Sequence, residues 1–226
     1  MDLNLSKLIY NYWTTVFIPS YLRFNYYRIF KSIKPFKFSG KEYKYFYHWY
    51  NTTWNNERAV EVPIVCKFVN EYNNYKILEI GNVLSHYFNL NHDVVDKYEK
   101  AEGVINQDVV DFQPSKQYDL IISISTLEHV GWDENPRDPN KIFPAIENLK
   151  KCLVLGGKLV VTIPIGLNPV LDKFIETGEI KFTENYYLKR INKSNEWVEL
   201  TSDFCSGTFG HPFTSANVLF FGVYHK

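Results

Sequence analysis

The chain is poor in the features that most quickly assign a function. Its 226 residues hold only three cysteines, Cys66, Cys152 and Cys205, widely spaced and odd in number, with no Cys-x-x-Cys pair. That pattern argues against a disulfide framework and a structural zinc, and it suits a reducing compartment. Net charge is absent too: 25 Lys and Arg are balanced by 25 Asp and Glu, so no global field points to nucleic acid. No apolar run is long enough to span a bilayer. The best stretch, 8–19, is interrupted by Asn11, Thr14 and Thr15 and lacks a small-residue cleavage site, so neither a membrane span nor a signal peptide is expected. A cytoplasmic protein is the resulting expectation. Also missing are internal repeats, low-complexity segments, and the Gly-x-Gly-x-x-Gly that cradles a pyrophosphate after a first strand.

What is present is organised around Tyr75 to Tyr98. The run from Lys76 to Ile80 reads as a buried strand, Gly81 opens a turn, a short helical passage follows, and a second strand closes on Asp96. An apolar strand ending in an acid and a glycine, then a second strand ending in an acid, is how an open parallel sheet grips an adenosine-containing ligand. The glycine admits the ligand to the backbone, and the second acid accepts from a ribose hydroxyl. A short third strand is expected to end near Asp108. Tyr118 to Ile124 is a continuous apolar run of the kind buried on both faces, and it ends in the polar cluster Ser123 to His129. Ile142, Ile146, Leu149, Cys152 and Leu153 recur at helical spacing, with Gly156-Gly157 expected to end that helix before the strand that starts at Lys158. Ala216 to His225 reads as a closing strand inserted antiparallel.

Upstream, residues 1–50 form an extension crowded with Tyr, Phe and Trp, in which 21–50 carries seven basic residues against Glu42 alone. Ser39-Gly40 marks a turn. The plain reading is that the aromatics cover an edge of the main domain, 51–226. The sharper one is a lid, or a docking surface for an anionic substrate or a membrane. The segment around Ala59 to Phe68 reads as a helix whose regularity Pro63 limits, with Glu57, Arg58 and Glu61 placed to reach a ligand or to face water.

Taken together, Tyr75 to Ile165 resembles the class I S-adenosylmethionine-dependent methyltransferases. Glu79 and Gly81 match the start of the family's acid-Gly-x-Gly-x-Gly loop, while Val83 and Ser85 stand where its further glycines fall. The ending Leu127-Glu128-His129-Val130 and the turn Leu155-Gly156-Gly157 resemble its fourth and fifth strand motifs. The resemblance implies a Rossmann-like three-layer α/β fold, mostly parallel, with seven strands and an antiparallel last one. It implies S-adenosyl-L-methionine as cofactor, held by Glu79, Gly81, Asn82, Asp96, Asp108, Val109, Ser123 and Ser125. His129 is the expected proton acceptor, with Glu128 orienting the acceptor molecule.

Plainer roles compete with each of these. His129 could cap its loop, and His86 and Tyr87 could fill space under a helix. His211 reads as structural, and Asp133 and Asp138 as turn residues. A divalent ion between Glu128, His129 and Asp133 lacks diagnostic spacing. Ser123-Ile-Ser-Thr replaces the Asn/Asp-Pro-Pro-Tyr/Phe signature of nitrogen methylation, which favours an oxygen acceptor, and the basic extension suits an anionic or sugar-like small molecule in surface-polysaccharide assembly. Two alternatives stand beside this: a non-catalytic relative serving as a binding or scaffolding subunit, and a nicotinamide-dependent oxidoreductase.

Overall fold

The computed structural model describes residues 12, 16–201 and 204–226. In chain order, α1 (Ile18–Tyr26) runs into a π-helical turn, Tyr27–Lys31. A hairpin of β1 (Pro35–Phe38) and β2 (Lys41–Lys44) follows, turning at Ser39-Gly40 as expected. Next come α2 (Arg58–Glu71), β3 (Ile77–Ile80), β4 (Asp93–Val95), β5 (Val104–Ile105) and β6 (Tyr118–Ile124). The chain ends with α3 (Ile142–Cys152), β7 (Leu153–Pro164), α4 (Pro169–Glu176), β8 (Glu184–Arg190), β9 (Trp197–Leu200) and β10 (Val218–His225).

The apolar run of β6 needs cover on both faces, and the sheet supplies it. Leu120, Ile122 and Ile124 join Val160, Leu219 and Phe221 against Val60, Ile64 and Val65 of α2. Ile121 joins Leu159, Val161 and Phe220 against Ile142, Ile146 and Leu149 of α3. Three layers result. The main sheet has the order β5-β4-β3-β6-β7-β10-β8-β9. Strands β3 to β7 are mutually parallel, and β10 runs antiparallel to both β7 and β8. This is the Rossmann-like sheet expected, with an eighth strand where seven were expected: β9 pairs antiparallel with β8 and extends the edge. From β3 the chain winds outward through β4 and β5, then returns to β6 on the other side. The strand order therefore reverses between β3 and β6, the place where open α/β sheets bind ligands.

Two local outcomes differ from the sequence reading. Pro63 leaves α2 continuous, because the carbonyl of Ala59, whose helical donor Pro63 cannot be, accepts from the Phe46 N–H at 2.9 Å. Gly156-Gly157 does not end α3. The helix stops at Cys152, β7 begins at Leu153, and the pair sits inside the strand where the β6 pairing jumps from Tyr118–Leu153 to Leu120–Lys158. Gly156, at φ +80°, supplies the left-handed residue that this bulge uses.

The second half of the aromatic extension belongs to the main core. Phe36 and Phe38 are buried, and Phe38 packs on Tyr186 and Phe221 with ring centroids 5.0 and 4.8 Å away. The Ser39 N–H donates to both carboxylate oxygens of Glu199 on β9. Phe38→Ala should therefore cost about 3 kcal/mol or more in urea denaturation, as for a core phenylalanine. A cost below about 1 kcal/mol would show that the hairpin is only loosely attached.

Candidate functional site

The loop after β3 is shaped by two close fits. Gly81 has φ +83°, its N–H donates to Val95 O at 2.8 Å, and a Cβ built on it would lie 2.1 Å from Thr126 Oγ1. Glycine is thus required both by the backbone and by the approach of the β6 loop. Glu79, fully buried, turns one carboxylate oxygen to the N–H groups of Val83 (2.9 Å) and Leu84 (2.8 Å), and the other to His92 Nε2 at 2.8 Å. Its position props the loop from behind. Val83 and Ser85 adopt no left-handed conformation, Val83 having φ −97°, so the missing glycines cost this loop nothing in backbone strain.

Two cavities meet at this loop and share Gly81, Asp96 and Thr126. The first, about 470 Å³, has apolar walls of Ile80, Val95 and Val109, with Asp108 and His129 at its border. The second, about 500 Å³, is lined by Tyr50, Asn51, Arg58, Asn82, His86 and Tyr87 among others. Asp96 follows β4 directly. Its Oδ1 accepts from the N–H groups of Tyr98 (2.8 Å) and Glu99 (2.7 Å), while Oδ2 takes only a long 3.4 Å contact from Asn82 N–H. That second oxygen keeps acceptor capacity.

Asp108 sits in a four-charge cluster at the far end of the first cavity. Lys97 Nζ lies 2.8 Å and Lys141 Nζ 2.5 Å from its Oδ2, and both lysines also reach Glu134, at 3.0 and 2.6 Å. Partial burial opposes ionisation here, but the two ammonium groups prevail and hold the Asp108 carboxyl down at about 2.

At the mouth between β6 and the following loop, His129 is half exposed, with Nδ1 2.5 Å from Asp133 Oδ2. A carboxylate only accepts, so the proton stays on Nδ1 and Nε2 presents its lone pair. Glu128 Oε1 is 3.7 Å from that Nε2. Glu128 is 1% exposed and neither of its carboxylate oxygens has a hydrogen-bond partner among the described residues. Behind it lies a buried acidic group. Arg58 binds Glu61 Oε2, Glu61 Oε1 accepts from Ser125 Oγ (2.5 Å) and Thr162 Oγ1 (2.6 Å), and Glu57 accepts from the Ala216 N–H at 3.0 Å. Burial, reinforced by the neighbouring carboxylates, raises the Glu128 carboxyl well above its ordinary range and raises Glu57 as well. One guanidinium, that of Arg58, serves all three glutamates.

Of the residues singled out from the sequence, Gly81, Asn82, Asp96, Asp108, Val109 and His129 line the two cavities. Glu79, Ser123, Ser125 and Glu128 do not: Glu79 supports the loop, Ser123 is buried in β6, and Ser125 and Glu128 belong to the acidic group. His86 stacks on Tyr50 at 4.6 Å and lines the second cavity with Tyr87, whereas His211 is exposed and lines neither. Asp138 accepts from the Asn140 N–H, as a turn residue does. The sequence reading missed Lys97, Thr126, Glu134 and Lys141. Only Thr126, at the polar end of β6, carried a signal. Among the described residues, no three or more His, Cys, Asp and Glu side chains are placed to hold a metal ion.

No family model and no curated protein matches the chain. Among solved structures it is similar to the N-methyltransferase NodS from Bradyrhizobium japonicum, bound to S-adenosyl-L-homocysteine, at 13% identity and TM-score 0.42, covering 75% of this chain and 91% of that one. It is also similar to a SAM-dependent methyltransferase from Archaeoglobus fulgidus (14%, TM-score 0.44, 72% and 93% covered). A third is the sugar N-methyltransferase KedS8 from Streptoalloteichus (13%, TM-score 0.38, 74% and 88% covered). At these values the functional reading rests on the cavities themselves.

Two outcomes test this geometry. Because the folded protein holds the Glu128 proton more tightly than the unfolded chain does, Glu128 favours folding fully below about pH 4, and that contribution falls as pH rises toward its raised value. Glu128→Gln removes the group, so its loss of Tm from pH 6 to pH 9 should be smaller than that of the wild type; parallel curves would show a carboxyl that ionises freely. Gly81→Ala should cost roughly 1–3 kcal/mol, and pairing it with Thr126→Gly should restore only part of that. Full restoration would mean that the left-handed backbone carries no cost.

Proposed function

We propose that this chain is an S-adenosylmethionine-dependent methyltransferase that methylates a hydroxyl of a sugar or similar small molecule. The observation that carries this reading is the two-lobed cavity at the point of strand reversal, pivoting on Gly81 and Asp96. Asp96 Oδ2 can accept from a ribose hydroxyl over the apolar walls of the first lobe, and Asp108, held ionised by its lysines, can accept from the amine at the adenine edge. Arg58, lining the second lobe, offers its guanidinium to an amino-acid carboxylate. The bound cofactor would supply an electrophilic methyl group. The chain would supply position, which can be worth on the order of 7 to 11 kcal/mol, and a proton acceptor in His129 Nε2, whose tautomer Asp133 fixes.

The second lobe and its surroundings favour an uncharged sugar over an anion. Arg58 is already bonded to Glu61, while the aromatic rings of Tyr50 and Tyr87 and the carboxylates of Asp96 and Glu99 suit stacking on and accepting from hydroxyl-bearing rings. Sugar O-methylation in the cytoplasm, of the kind surface-polysaccharide assembly uses, is the setting this reading implies.

Calorimetric titration with S-adenosylmethionine and S-adenosylhomocysteine tests the reading, with NAD as control. Micromolar affinity for the first two and none for NAD is expected. Asp96→Ala should weaken binding about 10- to 100-fold, the loss of a hydrogen bond to a charged group. His129→Ala should change that affinity little, since His129 only borders the first lobe, and lower turnover on a sugar acceptor by roughly 10²- to 10⁴-fold. Absence of binding by the wild type would turn the reading toward a scaffolding subunit.

A further inference from the structure

Helix α1 and the turn after it have two unlike faces. On the inner face Phe17, Tyr21 and Phe24 meet Trp49 with ring centroids 5.6, 6.4 and 5.7 Å away, Phe24 also meets Trp54 at 5.2 Å, and Tyr27 is buried against Tyr47 at 5.3 Å. On the outer face Ile18, Leu22, Tyr26, Ile29, Phe30 and Ile33 recur at three- and four-residue spacing, and all are exposed, Leu22 by 63%, Phe30 by 62% and Ile33 by 76%. A contiguous apolar stripe of this size on a surface marks an interaction site.

The segment that carries the stripe has charge of one sign. No acidic residue lies between Asp2 and Glu42, while Arg23, Arg28, Lys31, Lys34, Lys37 and Lys41 all do. Lys31 and Lys34 are paired with Glu196, at 3.1 and 2.9 Å. Arg23 and Arg28 make no ion pair among the described residues; their guanidinium groups lie over the rings of Tyr27 and Phe24. No described helix is long and apolar enough to cross a membrane, so any bilayer contact by this face is peripheral.

We propose that this face docks on an anionic lipid surface, with the six apolar side chains entering the interfacial layer and Arg23 and Arg28 reaching phosphate groups. Exposed isoleucine, leucine and phenylalanine flanked by arginine is the side-chain chemistry of an interfacial helix. Charge decides against a second copy as the occupant, because two such faces pressed together bring arginines together, and the nearby Glu196 is already engaged by Lys31 and Lys34. The proposal is independent of the cavity: a failed cofactor titration leaves it standing.

Co-sedimentation of the full chain with vesicles tests it, comparing phosphatidylcholine alone with an equal mixture of phosphatidylcholine and phosphatidylglycerol. Binding to the mixed vesicles should be at least about tenfold tighter than to the neutral ones and should weaken with salt. Arg23→Ser with Arg28→Ser should lower it roughly tenfold or more, at about fivefold per charge. Leu22→Ser with Phe30→Ser should abolish it. Both double variants should unfold cooperatively within a few degrees of the wild type, the arginine pair giving up only its contacts with Tyr27 and Phe24, which separates lost docking from lost folding. The proposal is overturned if the wild type stays in the supernatant with both vesicle types, or if the Leu22/Phe30 variant sediments like the wild type. It is equally overturned if sedimentation equilibrium shows a dimer that this variant dissolves while vesicles leave the wild type unbound.

Discussion

The site depends first on a carboxylate that faces away from it. Glu79 is buried beneath its own loop, and by accepting from two consecutive backbone amides and from His92 it fixes where the chain goes after β3. A carboxylate that accepts several such bonds satisfies donors that would otherwise be buried without partners. With the loop held there, Gly81 can sit under Thr126, Asn82 can approach Asp96, and the two cavities can meet over one glycine. Val83, standing where the resembled motif has a further glycine, keeps an ordinary conformation while its N–H is held by this carboxylate.

Electrostatics divide the site into two unlike ends. Around Asp108 two lysines and two acids neutralise one another at a partly solvated rim, where each charge stays ionised. Around Glu128 three glutamates share one arginine in the interior, and desolvation prevails over attraction for Glu128, so its carboxyl is raised well above its ordinary range. Glu128 lies 3.7 Å from Nε2 of His129, whose other ring nitrogen is bonded to Asp133. Groups whose surroundings push their proton affinities apart are what acid and base assignments need.

How much of this the sequence displayed follows from the range over which each feature acts. The strand β6, the pivot Gly81 and the acid Asp96 were legible because each is encoded within a few neighbouring residues: an apolar run, a strand-ending glycine, a strand-ending acid. The acidic group was not. Arg58 and Glu61 are three residues apart on a helix, a spacing that leaves them equally able to reach a ligand or to face water, and only the fold brings them to Ser125, Thr162 and Glu128. Lys97 and Lys141 meet across two loops 44 positions apart. Gly156-Gly157 is legible as a break but not as to which element it breaks; the C-terminal Lys226, paired with both glycines through backbone bonds, settles it in favour of the strand.

The N-terminal extension shows the same limit from the other side. Its aromatics hid the helical period because both faces of α1 are apolar, one turned to Trp49 and Trp54 and the other to solvent. The inner tryptophans bracket Tyr50 and Asn51, which line the second cavity, so the helix and the cavity wall are joined by a few consecutive residues. The backbone there is unusual, with Asn51 and Thr52 both at positive φ, and Thr53 Oγ1 accepts from the His48 N–H at 2.7 Å and donates to Phe46 O at 2.9 Å. The outer face of α1 and the cavity wall are therefore joined by a short hydrogen-bonded stretch that runs through Trp49.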